Sequence, residues 1–207
     1  MPLKFARARA KMRGQNSLLD KYALKPHDED VITSKIEGLD SSDLDLYRKK
    51  LTGIEGKYSE GYFKQIFGLL PEKMRPQMRR KFKAYDGVNN LFNLAYEVLS
   101  WRVHRAVVKA KLEPHLGFLH SIQYGKPSLV CDLQELYRHL MDDFVLDYSQ
   151  GLNQKDFISK DEGTSRKRKG KRQYLKDSLT RRMMGELDEY FTFRVEIPAM
   201  RHGARAR

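Results

Sequence analysis

The sequence predicts a mostly α-helical protein with little or no β-sheet, and three observations support this class. Apolar residues recur with the period of a helix over several long segments, whereas the alternation typical of a half-buried strand is rare. Proline and glycine stand at the ends of the clearest of these segments. Hydrophobic residues make up 40% of the 207 residues, which allows a packed core, and we see no internal repeat.

The N-terminal part of the chain divides into a basic helix and a polar connector. Residues 1–22 carry apolar side chains at helical spacing among many basic ones, and they predict a basic helix. Residues 23–42 are polar with an acidic cluster, and they predict a connector. A short helix is expected over 42–48, with Ser41 or Ser42 as its N-terminal cap, because serine is a favoured capping residue.

The centre of the chain predicts two longer helices. Residues 53–71 place aromatic and aliphatic side chains at helical spacing, and Pro71 ends that segment. Residues 89–111 carry the most convincing apolar stripe of the chain. The basic stretch between them, 73–83, has no such stripe, and we expect it to form a surface loop.

The C-terminal part predicts two more helices separated by polar sequence. After a turn marked by glycine and proline, the apolar residues of 133–144 indicate one helix. Residues 149–172 are polar and end in SRKRKGKR, which we expect to be a basic loop over 165–172. A last helix is expected over 175–191, and the tail that follows it is basic and irregular.

Charge and cysteine content narrow the choice of partner and compartment. The 40 Lys and Arg residues outnumber the 27 Asp and Glu residues, and the net charge of +13 favours a polyanion such as DNA or RNA. No apolar run approaches the ~20 residues that span a bilayer, and the N-terminus lacks the apolar core of a signal peptide. The single cysteine, Cys131, excludes an internal disulfide and a cysteine-rich zinc site. We therefore expect a cytoplasmic protein that binds nucleic acid rather than a membrane.

One histidine and two carboxylates stand out around the predicted turn. His120 precedes the turn, and Asp132 and Glu135 follow it at the start of the next helix, three residues apart and so on one face. Carboxylates suit Mg²⁺ or Mn²⁺, and an imidazole shifts the choice toward Mn²⁺. Such a metal can stabilise a phosphodiester transition state. The spacing alone more often reflects a helix cap at Asp132, a solvated Glu135 and a hydrogen-bonded His120.

Three further charged residues each allow two interpretations. Glu55 stands between two glycines and is either a functional acid or an acid in the first turn of a helix. Lys126 lies in the predicted turn, and Arg138 lies one helical turn after Glu135. Either cation can hold a phosphate near a metal, and either can equally be a solvated surface charge.

Four segments occur in an order that is typical of one protein family. They are GIEGKYSEGYF, DGVNNLFNLAYEVL, LEPHLGFLHSIQYGKPSLVCDLQELYR and DEYFTFRVEIPAMRHG. Together they resemble CRISPR-associated protein one, the integrase that inserts new spacers into CRISPR arrays, over roughly residues 1–207. The resemblance implies its multi-helix catalytic domain. It divides the chain into a basic N-terminal helix and connector, 1–50, and a helical metal-dependent integrase domain, 51–207.

The resemblance also implies one metal site that joins the two groups of acids. Members of the family hold one divalent ion between a glutamate, a histidine and an acidic residue, which match Glu55, His120 and Glu135 here. The implied ion is Mg²⁺ or Mn²⁺. Asp132 completes the implied catalytic set, as a group that orients the site or binds the metal through water.

Further positions match the family less specifically. Lys126 and Arg138 fall at basic positions that contact DNA in some members. Lys11 and Gln15 resemble the helix that leads into the catalytic domain. Members usually begin with a β-rich domain that carries much of the dimer contact, and we expect this chain to lack it, as a fragment, the product of a split gene or a naturally short member.

The implied activity is metal-dependent integration and cleavage of DNA. A DNA 3′-hydroxyl attacks a phosphodiester of the target repeat, and water in its place gives endonuclease activity on branched DNA. The implied partners are double-stranded and branched DNA, a second copy of the chain in a homodimer, and CRISPR-associated protein two. The implied location is the prokaryotic cytoplasm.

Three alternatives stay open from the sequence. A related transposon-type integrase would insert the ends of its own element, and inverted repeats would then flank the element that carries its gene. A catalytically incomplete fragment of the integrase would bind DNA equally with and without metal and would give no product. A basic helical RNA-binding protein is the third alternative, and it requires the resemblance to be accidental.

Overall fold

The computed structural model describes residues 3–39, 42–121, 123–162 and 170–192. These ranges contain seven α-helices and one two-stranded antiparallel sheet, so the predicted mostly α class is confirmed. The helices are α1 (Leu3–Lys21), α2 (Glu29–Glu37), α3 (Leu44–Phe67), α4 (Gly87–Lys109), α5 (Ser128–Gln134), α6 (Arg138–Gln150) and α7 (Asp177–Thr192). The strands are β1 (Phe157–Glu162) and β2 (Gly170–Leu175), and single 3₁₀ turns lie at Glu72–Met74 and Gln154–Asp156. None of the helices in these ranges combines the length and the apolarity that a membrane crossing needs.

Three predicted helices occur close to their predicted positions, namely α1, α4 and α7. Helix α4 illustrates why, because both its start and its buried face are visible in the sequence. The carboxylate of Asp86 accepts the backbone N–H of Asn89 and caps the helix. Leu91, Ala95 and Leu99 lie four residues apart and are buried. Before α4, the basic stretch is a loop, as predicted, apart from one 3₁₀ turn at its start.

The predicted connector over 23–42 contains a helix that the sequence did not predict. Asp28 caps α2 by accepting backbone N–H groups of its first turn. Ile32 and Ile36, four residues apart, are its buried side chains. Two apolar residues in a nine-residue helix form too short a stripe to stand out from a polar segment.

The short helix predicted over 42–48 and the segment 53–71 form one helix, α3. Its N-terminal cap is Asp43, whose carboxylate accepts backbone N–H groups of the first turn, and not Ser42. Ser41, the other predicted cap, lies outside the described ranges. An ionised carboxylate is favoured at this position because it also interacts with the positive end of the helix dipole. The predicted domain boundary falls inside α3, and the domain division stays a prediction.

A break divides the helix predicted over 133–144. Helix α5 ends at Gln134 and α6 begins at Arg138, with a turn between them. Asp132 and Glu135 therefore lie at the end of α5, not at the beginning of a helix as predicted. The break allows α5 to pack against α4 while α6 packs against both α4 and α1.

A β-hairpin occupies part of the polar segment predicted over 149–172. Strands β1 and β2 pair antiparallel, and the ring of Phe157 packs against Gly87, where an added Cβ would lie 2.2 Å from it. The hairpin is therefore held by contact with the start of α4 rather than by the strand propensity of its polar residues. Of the predicted basic loop over 165–172, the last three residues belong to β2 and the others lie outside the described ranges.

Two hydrophobic clusters hold the helices together. The larger cluster joins α3, α4, α6 and α7 with the C-terminal end of α1, and it includes the fully buried rings of Tyr62 and Phe92. The smaller cluster joins the N-terminal half of α1, the N-terminal half of α3 and α2 with Leu119. Helices α1 and α3 both run from one cluster into the other. Lys11 on α1 and Glu55 on α3 lie where the two clusters meet, and this boundary carries the candidate site.

Candidate active site

Four of the predicted site residues line one cleft of about 360 Å³. Glu55 comes from α3, His120 and Lys126 come from the segment before α5, and Glu135 comes from the end of α5. The fold therefore brings the two separate groups of acids together, as the resemblance implied. Asp132 lies directly behind His120.

Asp132 fixes the position and the tautomer of His120. Its carboxylate is fully buried, and Oδ1 lies 2.6 Å from Nδ1 of His120. Its Oδ2 accepts the backbone N–H groups of Phe118 at 2.8 Å and Leu119 at 2.9 Å. Burial raises the pKa of Asp132, but the hydrogen bonds from His120 and the Leu119 backbone outweigh it and lower the pKa below its ordinary value. With Asp132 ionised, Nδ1 is the nitrogen that carries the proton in the neutral form of the imidazole, and the lone pair is then on Nε2.

The segment that carries His120 is held closely against α5. A Cβ added to Gly117 would lie 2.8 Å from Oδ2 of Asp132 and 2.7 Å from Cβ of Ser128, so only glycine fits there. The hydroxyl of Ser128 donates to the backbone oxygen of Ser121 at 2.9 Å. These contacts correct the expected helix cap at Asp132, because its carboxylate holds a loop instead of starting a helix. The expected hydrogen bond of His120 is confirmed.

Glu55 and Glu135 are joined by cations from α1. Nζ of Lys11 lies 3.2 Å from Oε2 of Glu55 and 2.9 Å from Oε2 of Glu135. The other oxygen of Glu55 accepts from Nη1 of Arg7 at 2.6 Å. The other oxygen of Glu135 lies 2.8 Å from Nη1 of Arg138. Each carboxylate therefore has two cationic partners, and Lys11 is shared between them.

Glu135 is a buried and ionised carboxylate, which corrects the alternative of a solvated surface acid. Its exposed fraction is 6%. Burial raises its pKa, but the charges of Lys11, Arg138 and Arg7 outweigh burial and lower the pKa to about 2. Nζ of Lys11 lies 2.9 Å from Oε2, and its charge and hydrogen bond help to keep the carboxyl group ionised.

The chemistry of this donor set fits a hard divalent cation. Two carboxylates are ligands that Mg²⁺ and Mn²⁺ prefer, and an imidazole nitrogen with a fixed tautomer shifts the choice toward Mn²⁺. The contact of Asp132 with the other ring nitrogen is the usual support of a metal-bound histidine. In the arrangement of the described residues, however, no three His, Cys, Asp or Glu side chains lie close enough together to share one ion. Lys11 and Arg7 hold the carboxylates in that arrangement.

The part played by α1 is what the sequence interpretation missed. Arg7 was not predicted at all, and Lys11 was predicted only as part of the entering helix. Arg7, Lys11 and Gln15 follow one another at intervals of four residues and so share one face of α1. Arg7 and Gln15 are buried, with exposed fractions of 4% and 6%. Polar residues at helical spacing could have indicated a buried polar face of α1. The many other basic residues in this segment make that pattern hard to recognise.

The two cations predicted to contact DNA, Lys126 and Arg138, have different surroundings. Lys126 lies beside the turn at Gly125, whose φ of 69° favours glycine, and it lines the cleft. Arg138 pairs with Glu135, and its guanidinium lies 4.7 Å from the ring centroid of Tyr96. Both assignments to DNA stay predictions, as do the ligand roles of the acids and the histidine.

A second, smaller cavity of about 150 Å³ adjoins the cleft and shares Lys11, Ser59 and Glu135 with it. Its floor includes Asp142, which accepts hydrogen bonds from the hydroxyls of Tyr62 at 2.8 Å and of Tyr96. Burial raises the pKa of Asp142 to about 6, and the hydrogen bonds of the two tyrosines only partly oppose it.

The basic loop before α4 also reaches this cavity. Arg79 donates to Asn89 at 3.0 Å and Asn93 at 2.7 Å, and its guanidinium stacks over three aromatic rings of the larger cluster. The loop is thereby anchored to α4, although its sequence predicted only a surface segment.

Comparison with known proteins gives the family. Residues 3–178 match the family described as CRISPR associated protein Cas1. The chain belongs to the Cas1 family. A relative from Thermus thermophilus, the CRISPR-associated endonuclease Cas1 3, is 38% identical over 96 residues, which make up 46% of this chain and 29% of that relative. The Cas1 chain studied here thus matches about three tenths of the relative's length.

Solved structures share the fold of this Cas1 chain. A casposase bound to integration product superposes with a TM-score of 0.74 and 23% identity, over 93% of this chain and 52% of that one. A Cas6-RT-Cas1–Cas2 complex superposes with a TM-score of 0.76 and 22% identity, over 94% of this chain and 22% of that one. At these identities the likeness concerns the fold alone.

Proposed function

We propose that this chain is the catalytic part of a metal-dependent DNA integrase and endonuclease that inserts new spacers into a CRISPR array. The observation that carries the proposal is the cleft that brings Glu55 and Glu135 next to a histidine oriented by Asp132. The family of the chain and its net charge of +13 agree with a DNA substrate.

Each residue of the cleft has a distinct part in this proposal. Glu55, Glu135 and Nε2 of His120 would hold Mg²⁺ or Mn²⁺, which supplies Lewis-acid stabilisation of charge on the phosphate oxygens. Asp132 keeps the proton on Nδ1 of His120, so that Nε2 faces the ligand position as a neutral donor. Lys126 stands at the side of the cleft as a cation for the DNA backbone.

The proposed reaction is an exchange of phosphodiester bonds. The 3′-oxygen of the incoming strand bonds to the phosphorus of the target repeat and loses its proton to solvent. The bond from that phosphorus to the target's own 3′-oxygen breaks, and the leaving oxygen takes up a proton. With water in place of the 3′-hydroxyl, the same exchange is hydrolysis, which is the proposed endonuclease activity on branched DNA.

Structural neighbours support part of the proposed set of partners. One neighbour is a Cas6-RT-Cas1–Cas2 complex, and another is a casposase bound to integration product. They support DNA as the substrate and Cas2 as a protein partner of this chain. Double-stranded and branched DNA as the forms of the substrate, and a homodimer as the working form, are proposed from the resemblance of the sequence to the family. A casposase-like activity on the ends of a mobile element is the alternative, and the choice of DNA substrate distinguishes the two.

The test is strand transfer of a labelled duplex into a plasmid that carries the repeat, with Mn²⁺, and with and without Cas2 from the same locus. Glu55→Ala, His120→Ala and Glu135→Ala should each reduce transfer by at least ~100-fold, because each removes one ligand of the ion. Glu189→Ala, an exposed carboxylate on α7, is the matched control and should transfer like the wild type. Full transfer by Glu135→Ala, or transfer in the presence of EDTA, would sink the proposal.

Transfer into plasmids with terminal inverted repeats, but not into plasmids with the CRISPR repeat, favours the casposase-like alternative. Equal DNA binding by all variants with no product, even with Cas2, identifies a DNA-binding fragment.

A further inference from the structure

Lys11 occupies an unusual place for a lysine. Its ammonium nitrogen lies within 3.2 Å of Glu55 Oε2 and within 2.9 Å of Glu135 Oε2, and its side chain is only 13% exposed. These two oxygens belong to two of the three groups proposed as metal ligands. The cation from α1 therefore lies between two of the carboxylates that are proposed to hold the metal.

The charges of the surrounding network are balanced without a metal. Among the described residues, three carboxylates form this network, and three cationic side chains pair with them. The carboxylates belong to Glu55, Asp132 and Glu135, and the cations belong to Arg7, Lys11 and Arg138. Most of these side chains are nearly or fully buried. A divalent cation added to the same network would leave two uncompensated positive charges away from water, which is strongly unfavourable.

Lys11 is also the member of the network that can leave. Arg7 is 4% exposed and bonded to Glu55 at 2.6 Å, so its guanidinium is fixed. Lys11 donates a hydrogen bond to Glu55 at 3.2 Å and pairs with Glu135 at 2.9 Å, but its flexible stem of four methylene groups lets the ammonium turn toward solvent or toward a ligand. A divalent ion held by the same two carboxylates would repel the ammonium, and this repulsion favours its departure.

We propose that Lys11 is a positioning residue that acts as the built-in counterion of this site. It holds Glu55 and Glu135 in place until the metal takes them, and its released ammonium then pairs with a phosphate of the DNA. This inference rests on the proposed function, since it concerns the same metal and the same substrate. Its consequence is that metal and DNA bind cooperatively, because the phosphate supplies the negative charge that the metal-loaded network lacks.

The test measures Mn²⁺ affinity by calorimetry on the full chain, without DNA and with a duplex oligonucleotide, with the duplex alone as background. In the wild type, DNA should tighten Mn²⁺ binding by at least ~10-fold, and Mn²⁺ should tighten DNA binding by the same factor. Lys11→Met keeps the stem and removes the charge. It should bind Mn²⁺ at least ~10-fold more tightly than the wild type without DNA, and the gain from DNA should fall below ~3-fold.

Lys21→Met is the matched control. The substituted lysine lies on the same helix and carries the same charge. Its loss removes the surface ion pairs with Asp143 and Asp147 and a contact with the ring of Tyr22, all away from the cleft. The Mn²⁺ affinity of this variant and its coupling to DNA should equal those of the wild type. Lys11→Gln provides the same measurement if Lys11→Met does not fold. Lys11→Arg retains the charge and should keep Mn²⁺ affinity close to the wild-type value.

A merely structural lysine gives the opposite result, because its loss disorders the carboxylates and weakens metal binding. Mn²⁺ affinity that is unchanged or lower in both neutral variants therefore overturns the inference. If those variants still perform strand transfer and Glu135→Ala does not, the proposed function stands while the counterion role fails. If the wild type binds Mn²⁺ in neither condition and transfers no DNA, both fail.

Discussion

Two acids are both buried, Glu135 at the break between α5 and α6 and Asp142 within α6. The pKa values of their carboxyl groups are nevertheless shifted in opposite directions. Burial raises the pKa of each carboxyl group. The pKa of Glu135 is nevertheless lowered to about 2, whereas that of Asp142 is raised to about 6. Three cations surround Glu135 and stabilise its charged form. The direct partners of Asp142 are two tyrosine hydroxyls, which donate hydrogen bonds but carry no charge.

The difference shows how the molecule holds two buried carboxyl groups in different states. A buried acid with cationic partners is fully ionised at neutral pH, as the proposed role of Glu135 requires. A buried acid held by hydroxyl groups anchors the surrounding helices and titrates close to neutral pH. Burial alone does not distinguish the two, but the charge of the contacting groups does.

The largest expected contrast comes from replacing each of the two acids, Glu135 and Asp142, by the corresponding uncharged amide. Glu135→Gln removes the charge that Lys11 and Arg138 compensate, so the free energy of unfolding should fall by about 3–5 kcal/mol. Strand transfer should fall by at least ~100-fold. Asp142→Asn keeps an oxygen acceptor for one tyrosine hydroxyl and places an amide N–H group against the other. It should change strand transfer by less than ~3-fold, because Asp142 is not among the proposed metal ligands. Urea unfolding and plasmid integration measure the two effects. Equal losses of strand transfer in the two variants would contradict the division of roles.

The pH dependence of stability sharpens the same contrast. The folded-state pKa of Asp142, about 6, lies above its ordinary value, so the folded chain holds this proton more tightly than the unfolded chain does. Its contribution to stability is therefore present below about pH 4 and lost as the pH rises to about 6, a change of about 3 kcal/mol. Glu135 acts in the opposite sense and at lower pH, because its contribution is lost only as the pH falls from about 4.5 toward 2.

Urea unfolding of the wild type and Asp142→Asn across this range isolates the effect of Asp142. The difference in unfolding free energy between the two proteins should change between about pH 4 and pH 6 and then stay constant. A difference that does not vary with pH would mean that Asp142 is ionised throughout.

The smallest expected effects come from substitutions of two glycines, Gly117 at the site and Gly87 remote from it. A Cβ at Gly117 would press on Asp132 and Ser128, and a Cβ at Gly87 would press on the ring of Phe157. Each alanine substitution should lower the free energy of unfolding by about 1–3 kcal/mol, because both sites are already filled. Gly117→Ala should also weaken Mn²⁺ binding, since it moves the carboxylate that orients His120, whereas Gly87→Ala should not. Calorimetry with Mn²⁺ at matched stability separates them, and equal Mn²⁺ affinity in the two variants would mean that Asp132 does not orient the site.

Sequence patterns predicted the helices that bury an apolar stripe along their whole length. Helix α4 carries an apolar stripe over its whole length, and its predicted position agrees with the observed Gly87–Lys109. Helix α2 buries only Ile32 and Ile36, and the hairpin depends on a contact between Phe157 and Gly87 that no local pattern contains. The break before Arg138 was missed because apolar residues continue across it at helical spacing.

The candidate site shows a similar limit. Spacing on one helix related Asp132 to Glu135, but it could not connect them with Glu55, and only the family resemblance did so. Neither the spacing nor the resemblance predicted that Arg7 and Lys11 pair with these acids. A buried arginine in a basic helix contradicts the usual expectation that charged side chains stay in water, and its partners lie far away in sequence.

The position of the site between the two hydrophobic clusters has a consequence for when the chain can act on DNA. The smaller cluster contains seven buried residues and should open more readily than the larger one, as a cooperative unit visible in amide hydrogen exchange. Lys11 and Glu55 lie on helices that this cluster holds, and Leu119 directly precedes His120. Opening of the smaller cluster therefore dismantles the cleft while the rest of the chain stays folded. In the proposed function, phosphodiester chemistry would then be restricted to the completely folded molecule.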